Sequence, residues 1–298
     1  MAQQQWVFEP GTSERLDLGP ITELALAIVA GNVTIIGHDL PSTELEISGI
    51  SGAAVRLSRN GTRLKLDHRR GDRNRGNFGR WFNGATVDLT VLMPMDATIK
   101  LNSMNANVVV SGIHGRISAG TVSGQITLDG CIGGVELNSA SGEACLIGHR
   151  AAGKKVQLNT MSGNVTVGGE IGRLQVNAAS AAVVLDLTGQ LNRVEVNQMS
   201  GEVIARFDWQ PLAYEIHANR GASIDGTQYP GKFVERTVGA EQATAAGAAA
   251  SRFGDAGAPP PPPPPPPGQG AGTSTGSALG RVNFNNGFGT INIMHRAE

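Results

Sequence analysis

The segment HRRGDRNRGNFGRWFNG (68–84) holds the densest chemistry in the chain: Arg69, Arg70, Arg73, Arg75 and Arg80 are interleaved with Phe78, Trp81 and Phe82. Guanidinium planes beside aromatic faces can stack on bases or sugars and pair with phosphates. The same side chains could instead cover an exposed apolar end of the fold. Both readings stand, as an anionic-polymer or partner site and as a cap. The Arg-Gly-Asp tripeptide at 70–72 matches an integrin-binding sequence, but three residues recur by chance and carry no weight. The formal net charge of −1 over 298 residues excludes a strongly basic chain, so nucleic acid is not the expected partner.

Three further constellations recur at intervals of 18–21 residues or multiples of them. Lys155, Arg173 and Arg193 would project side by side if successive repeats stack, as a candidate basic strip for phosphates or an acidic glycan. Glu136, Glu195 and Glu215 fall on the same side, two residues along the repeat, and would neutralise much of it, which favours a solvated face. Asn102, Asn138, Asn159, Asn177 and Asn197 recur as a candidate asparagine ladder, each amide bonding its neighbours above and below. A ligand-binding stripe is the functional alternative, but a ladder whose bonds are satisfied within the stack is a structural device. Cys131 and His149 share a repeat position as well. Two ligands are too few for a closed zinc site, and the pair reads as a buried Cys beside a surface His.

Catalysis finds little support. The best equivalent carboxylates, Asp129 and Asp186, lie three repeats apart, about 14 Å at ~4.8 Å per step. Glycosidase carboxylates sit ~5–9.5 Å apart. No Ser-His-Asp grouping, Walker-type loop or dinucleotide fingerprint is present. No enzymatic activity, cofactor or metal is expected, and no catalytic residue is assigned. A carbohydrate-active β-helix enzyme is the alternative from another class.

The elements that must position these residues are legible from one repeated phrase: LNSMNANVVVSG (101–112), LNSASGEACLIG (137–148), LNTMSGNVTVGG (158–169) and VNQMSGEVIARF (196–207). Aligned on the small residue at each turn, the copies at Ala106, Gly124, Gly142, Gly163, Ala181, Gly201 and Gly221 are separated by 18, 18, 21, 18, 20 and 20 residues. Apolar residues alternate on both sides of the turn, as in Val156 and Leu158 before Gly163 and Val165 and Val167 after it. Period-two patterning flanking a small turn predicts two short strands per coil with their apolar faces inward. One coil cannot bury its own face, so the copies must stack as a parallel β-solenoid. Gly at the corners is expected to supply positive φ.

The coils and the early stretch AIVAGNVTIIGHD resemble the bacterial putative-adhesin β-strand-repeat family, a toastrack-like group of unknown function, over roughly residues 20–225 and 280–295. The resemblance implies the repeat fold and a place at the envelope or in envelope-stress systems. It supplies no catalytic residues.

The expected organisation follows. Residues 1–97 form a β-rich part with a first coil and a hairpin at Asn60-Gly61, and 98–226 the regular repeats. Residues 227–280 form a disordered Pro-, Gly- and Ala-rich insertion with nine consecutive prolines, and 281–298 the strands that complete and cap the last coil. The prolines read as a spacer. The N-terminus lacks the basic-then-apolar build of a secretory signal, and no segment suits a transmembrane helix, so a cytoplasmic location is expected. The expected function is a structural or interaction scaffold that binds a protein or envelope polymer, or self-associates through its solenoid ends.

Overall fold

The computed structural model describes residues 3–68, 84–151, 153–208, 210, 212–229, 234–238 and 280–296. The arginine- and aromatic-bearing stretch 69–83 and the proline-bearing stretch 239–279 lie outside the described residues. The fold is all-β. No helix among the described residues is long and apolar enough to cross a membrane.

The coils contribute to two long ladders. In the first, parallel neighbours run Arg63–Asp67, Glu23–His38, Thr98–Ser111, Ile117–Thr121, Val135–Ser139, Lys155–Glu170, Arg173–Thr188, Arg193–Ser200, Gly280–Asn286 and Leu212–Ala218. In the second they run Thr86–Pro94, Glu23–His38, Thr98–Ser111, Ile126–Asp129, Ala144–Arg150, Lys155–Glu170, Arg173–Thr188, Glu202–Asp208, Thr290–Arg296 and Ala222–Ile224. The longer strands pass through the corner and serve both ladders. Each coil sends inward apolar side chains from both halves: Leu174, Val176, Val183 and Leu185 of one coil are all buried, and one continuous core runs through the stack. Alternation makes this possible, because period-two side chains place every second residue on the inner face.

Stacking order departs from chain order at both ends. The coil of 23–38 lies between that of 63–94 and that of 98–111. Likewise, the C-terminal coil of 280–296 lies between that of 193–208 and that of 212–224. The expectation that 281–298 completes and caps the last coil is therefore corrected: this coil is an interior layer with neighbours on both sides. Its inward side chains are fully covered there: Val282, Phe284, Ile291 and Ile293 are each at most 1% exposed.

Antiparallel strands close the ends instead. Gln4–Phe8 pairs with Val55–Asn60, which pairs with Arg63–Asp67, and Glu14–Asp17 pairs with Glu44–Ser51, which pairs with Thr86–Pro94. At the opposite end Val234–Val238 pairs with Leu212–Ala218 and Thr227–Tyr229 with Ala222–Ile224, which corrects the expectation that the disordered insertion starts at 227. The outermost strands are three to five residues long, and short edge strands are poor templates for pairing with another chain.

The expected positive φ is found at the corner glycines Gly31, Gly163, Gly201 and Gly221, whereas Gly124, Gly142 and Gly289 are held by close approach alone. Gly142 does not have positive φ. A Cβ there would lie 1.9 Å from the Gly124 carbonyl oxygen of the preceding coil. His149 is a second correction: it is fully buried, not a surface residue. Between Leu146 and His149 the ladder to the next coil slips by one residue. A one-residue bulge reverses which face a side chain takes, so His149 turns inward and bonds the Gly133 carbonyl through Nε2 at 3.0 Å.

Candidate functional site

Along one outer edge of the stack, where each coil bends from the first ladder into the second, runs a groove of about 820 Å³. One wall is the asparagine column. The ladder register aligns Asn138, Asn159, Asn177, Asn197 and Asn285, with Asn102 beyond Gly120, which interrupts the row. These side chains are exposed or half-buried. The Nδ2 of Asn159 donates to Asn138 Oδ1 at 2.8 Å, Asn177 to Asn159 at 2.8 Å, and Asn197 to Asn177 at 3.1 Å. The column thus lies on the outer surface, and the stack uses only part of each amide's bonding capacity. Two donors and two acceptor positions exist per amide, and the ladder bonds of Asn159 and Asn177 use one of each.

The opposite wall is apolar. Two residues before each turn stand Val122, Ala140, Met161, Ala179 and Met199, all lining the groove. Met161 and Met199 are 67% and 66% exposed. Phe288, also exposed, donates its backbone N–H to the Met199 carbonyl and sits beyond it on the next coil. Between the walls the floor is made of hydroxyls already engaged in the corners: Ser103 Oγ donates to Thr121 Oγ1 at 3.0 Å, and Thr121 Oγ1 and Ser139 Oγ accept from the Gly124 and Gly142 amides. Among the described residues lining the groove none is charged.

Asn285 and the methionine stripe were not picked out from the sequence. Both were signalled by the repeat: Asn285 stands four residues before the turn at Gly289, and Met161 and Met199 two before Gly163 and Gly201. The 54 residues between the coil ending at 226 and that starting at 281 hid Asn285's place in the column.

The basic strip is assembled on the same outer side of the first ladder, four residues before the asparagine column. Lys155 pairs in register with Arg173, Arg173 with Arg193, and Arg193 with Arg281. Much of its charge is engaged locally: Arg193 Nε donates to Glu195 at 2.8 Å, Lys155 Nζ to Gln157 at 2.9 Å, and nearby Arg116 pairs with Glu136 at 3.1 Å. The clefts alongside it are smaller, about 510 and 590 Å³.

Arg69, Arg70, Arg73, Arg75, Phe78, Arg80, Trp81 and Phe82 lie outside the described residues. Their roots are placed, however. The strand before it, Arg63–Asp67, belongs to the first ladder, and the strand after it, Thr86–Pro94, to the second. His68 at its base is buried, bonds the Ala53 carbonyl at 3.1 Å, and has its pKa lowered chiefly by burial.

A polar cluster fixes the C-terminal coil. Tyr214 Oη and His295 Nε2 are 2.7 Å apart, and His295 Nδ1 lies 2.7 Å from Asp225 Oδ2. Asp225 sits in the turn between Ala222–Ile224 and Thr227–Tyr229 at φ 48°. Arg296 bonds Asp208 at 2.6 Å and also Asp186. Asp208 is held below its ordinary pKa first by the Gly189 amide, and then by Arg296. The Tyr-His-Asp order resembles a proton relay, but the tyrosine is 1% exposed and its pKa is raised by burial. It is a clasp without access to substrate. Asp186, one of the two carboxylates weighed for catalysis, is likewise engaged by Arg296. Cys131 is buried, with burial raising its thiol pKa, and donates to backbone carbonyls. No group of three or more His, Cys, Asp or Glu suited to a metal occurs among the described residues.

Fold and groove together define a non-globular repeat protein of parallel β-coils with a long uncharged face. The chain belongs to the family described as Toastrack DUF4097, whose model matches residues 21–241. Among solved structures it is similar to one described as a putative cell adhesion protein from Clostridium sporogenes ATCC 15579, at 11% identity and a TM-score of 0.32, covering 96% of this chain and 99% of that one. No curated protein matches the chain.

Proposed function

We propose that this chain is a non-enzymatic interaction scaffold, a β-solenoid rod that engages a protein or envelope polymer along its side. The observation that carries this is the contrast between ends and side. Both ends of the ladders finish in short antiparallel strands, whereas the corner groove runs the length of the regular coils. Family membership supports a scaffold at the general level. This reading moves the working surface from the solenoid ends, first suggested by the repeat pattern, to the long face. The candidate carboxylates support it as well, because Asp186 is tied to Arg296 and lies three ladder steps from Asp129.

Sedimentation velocity over a wide concentration range, run beside a reducing-end assay on neutral and acidic polysaccharides, tests the proposal. A concentration-independent monomer that releases no product is expected. End-to-end oligomers would restore the ends as the functional surfaces, and released product would make the protein an enzyme.

A further inference from the structure

We propose that the corner groove binds a neutral, linear, hydroxyl-rich polymer, a glycan chain lying along the stack axis. The inference deepens the scaffold reading and rests on it.

The unspent bonding capacity of the asparagine wall selects the ligand's polar groups. Asn159 and Asn177 each spend one N–H and one lone pair on the ladder, which leaves one donor and one acceptor per amide. A hydroxyl both donates and accepts, so it matches that pair. A carboxylate or phosphate only accepts and would face the amide oxygens unpaired; an ammonium only donates. Burying such mismatched charge is costly, and among the described lining residues none carries a charge to compensate it.

Spacing and the second wall select the rest. From Asn138 to Asn285 the ladder offers an equivalent amide every ~4.8 Å over four steps, about 19 Å, and Asn102 stands two steps further on, past Gly120. An extended peptide repeats its edge groups every second residue, ~6.6–6.8 Å, and falls out of step with the amides at once. Across the groove, Val122, Met161 and Met199 present methyl and thioether surface. Sugar rings carry hydroxyls on their edges and apolar C–H faces, so one chain can meet both walls together. Methionine's flexible thioether adapts to such faces.

The test is calorimetry on the full chain with four probes: cellohexaose, chitohexaose, hexagalacturonate as the anionic counterpart, and a nonaproline peptide. Met161→Glu/Met199→Glu changes only exposed side chains, and its thermal melt verifies folding; Asn177→Ala removes one amide of the wall. The expected result is binding of at least one neutral hexasaccharide, insensitive to salt and weakened about tenfold or more by the double variant. The inference is overturned if neither neutral probe binds, if hexagalacturonate or nonaproline binds more tightly, or if folded variants bind as the parent does. Failure of glycan binding leaves a monomer without activity, whereas failure of the scaffold reading shows as oligomers or product.

Discussion

Phe284→Ala probes the out-of-order stacking directly. Phe284 is 1% exposed, and its ring stacks on Phe207 with centroids 6.5 Å apart. In register it lies between Val196 of one neighbouring coil and Ile216 of the other. A cavity opened there is walled on both sides, so little collapse can fill it, and the cost should fall in the range of ~3–5 kcal/mol for a buried Phe truncation. Repeat arrays do not always unfold in one step, so a single midpoint is a poor readout. Hydrogen exchange resolves the layers. The coil of 212–224 reaches the rest of the stack through the C-terminal coil, so Phe284→Ala should strip protection from 212–224 and 280–296 together. The coils from 117 to 188 should stay protected. If 212–224 keeps its protection while 280–296 loses it, the C-terminal coil is not an interior layer and the out-of-order stacking is refuted.

Other expectations follow from single contacts. Gly142→Ala places a methyl against the Gly124 carbonyl of the coil below, and urea unfolding should show a loss of about 1–3 kcal/mol from overpacking. Burial lowers the pKa of both His68 and His149 from the ordinary 6.5. The folded protein therefore keeps both neutral where the unfolded chain takes up protons. Their contribution to stability is complete above pH 6.5 and is lost as pH falls below it. Thermal melts from about pH 8 to about pH 5 should show this decline, and His149→Leu should flatten it. Arg296→Gln frees the half-exposed Asp186 and Asp208; exposed pairs are weak, so exchange should quicken at 290–296 with a global change below about 1 kcal/mol.

The repeat unit was legible because its determinants are local. Val156, Leu158, Val165 and Val167 alternate around Gly163 within a dozen residues, and alternation over that length defines a strand's inner face without knowledge of its partners. Asn159 and Asn177 share a column for the same reason, since equal position in the repeat becomes equal position in the stack. Family membership followed from the same phrases. His149 was misplaced because a bulge between Leu146 and His149 depends on pairing to the next coil, which the alternating pattern does not record.

By itself, then, the sequence determined an all-β chain of repeated two-strand units with their apolar columns and asparagine row. The tertiary structure alone decided which coil lies on which. Coils of nearly equal period and pattern are interchangeable as hydrogen-bonding neighbours, so position along the chain does not dictate position in the stack. Pairing across the chain decides it: 280–296 bonds 193–208 on one side and 212–224 on the other, which sets Phe284 between Val196 and Ile216. The groove arose in the same way. Asn159 and Met161 lie two residues apart in one strand, and the stack lines up their equivalents in successive coils as the long rows of one groove.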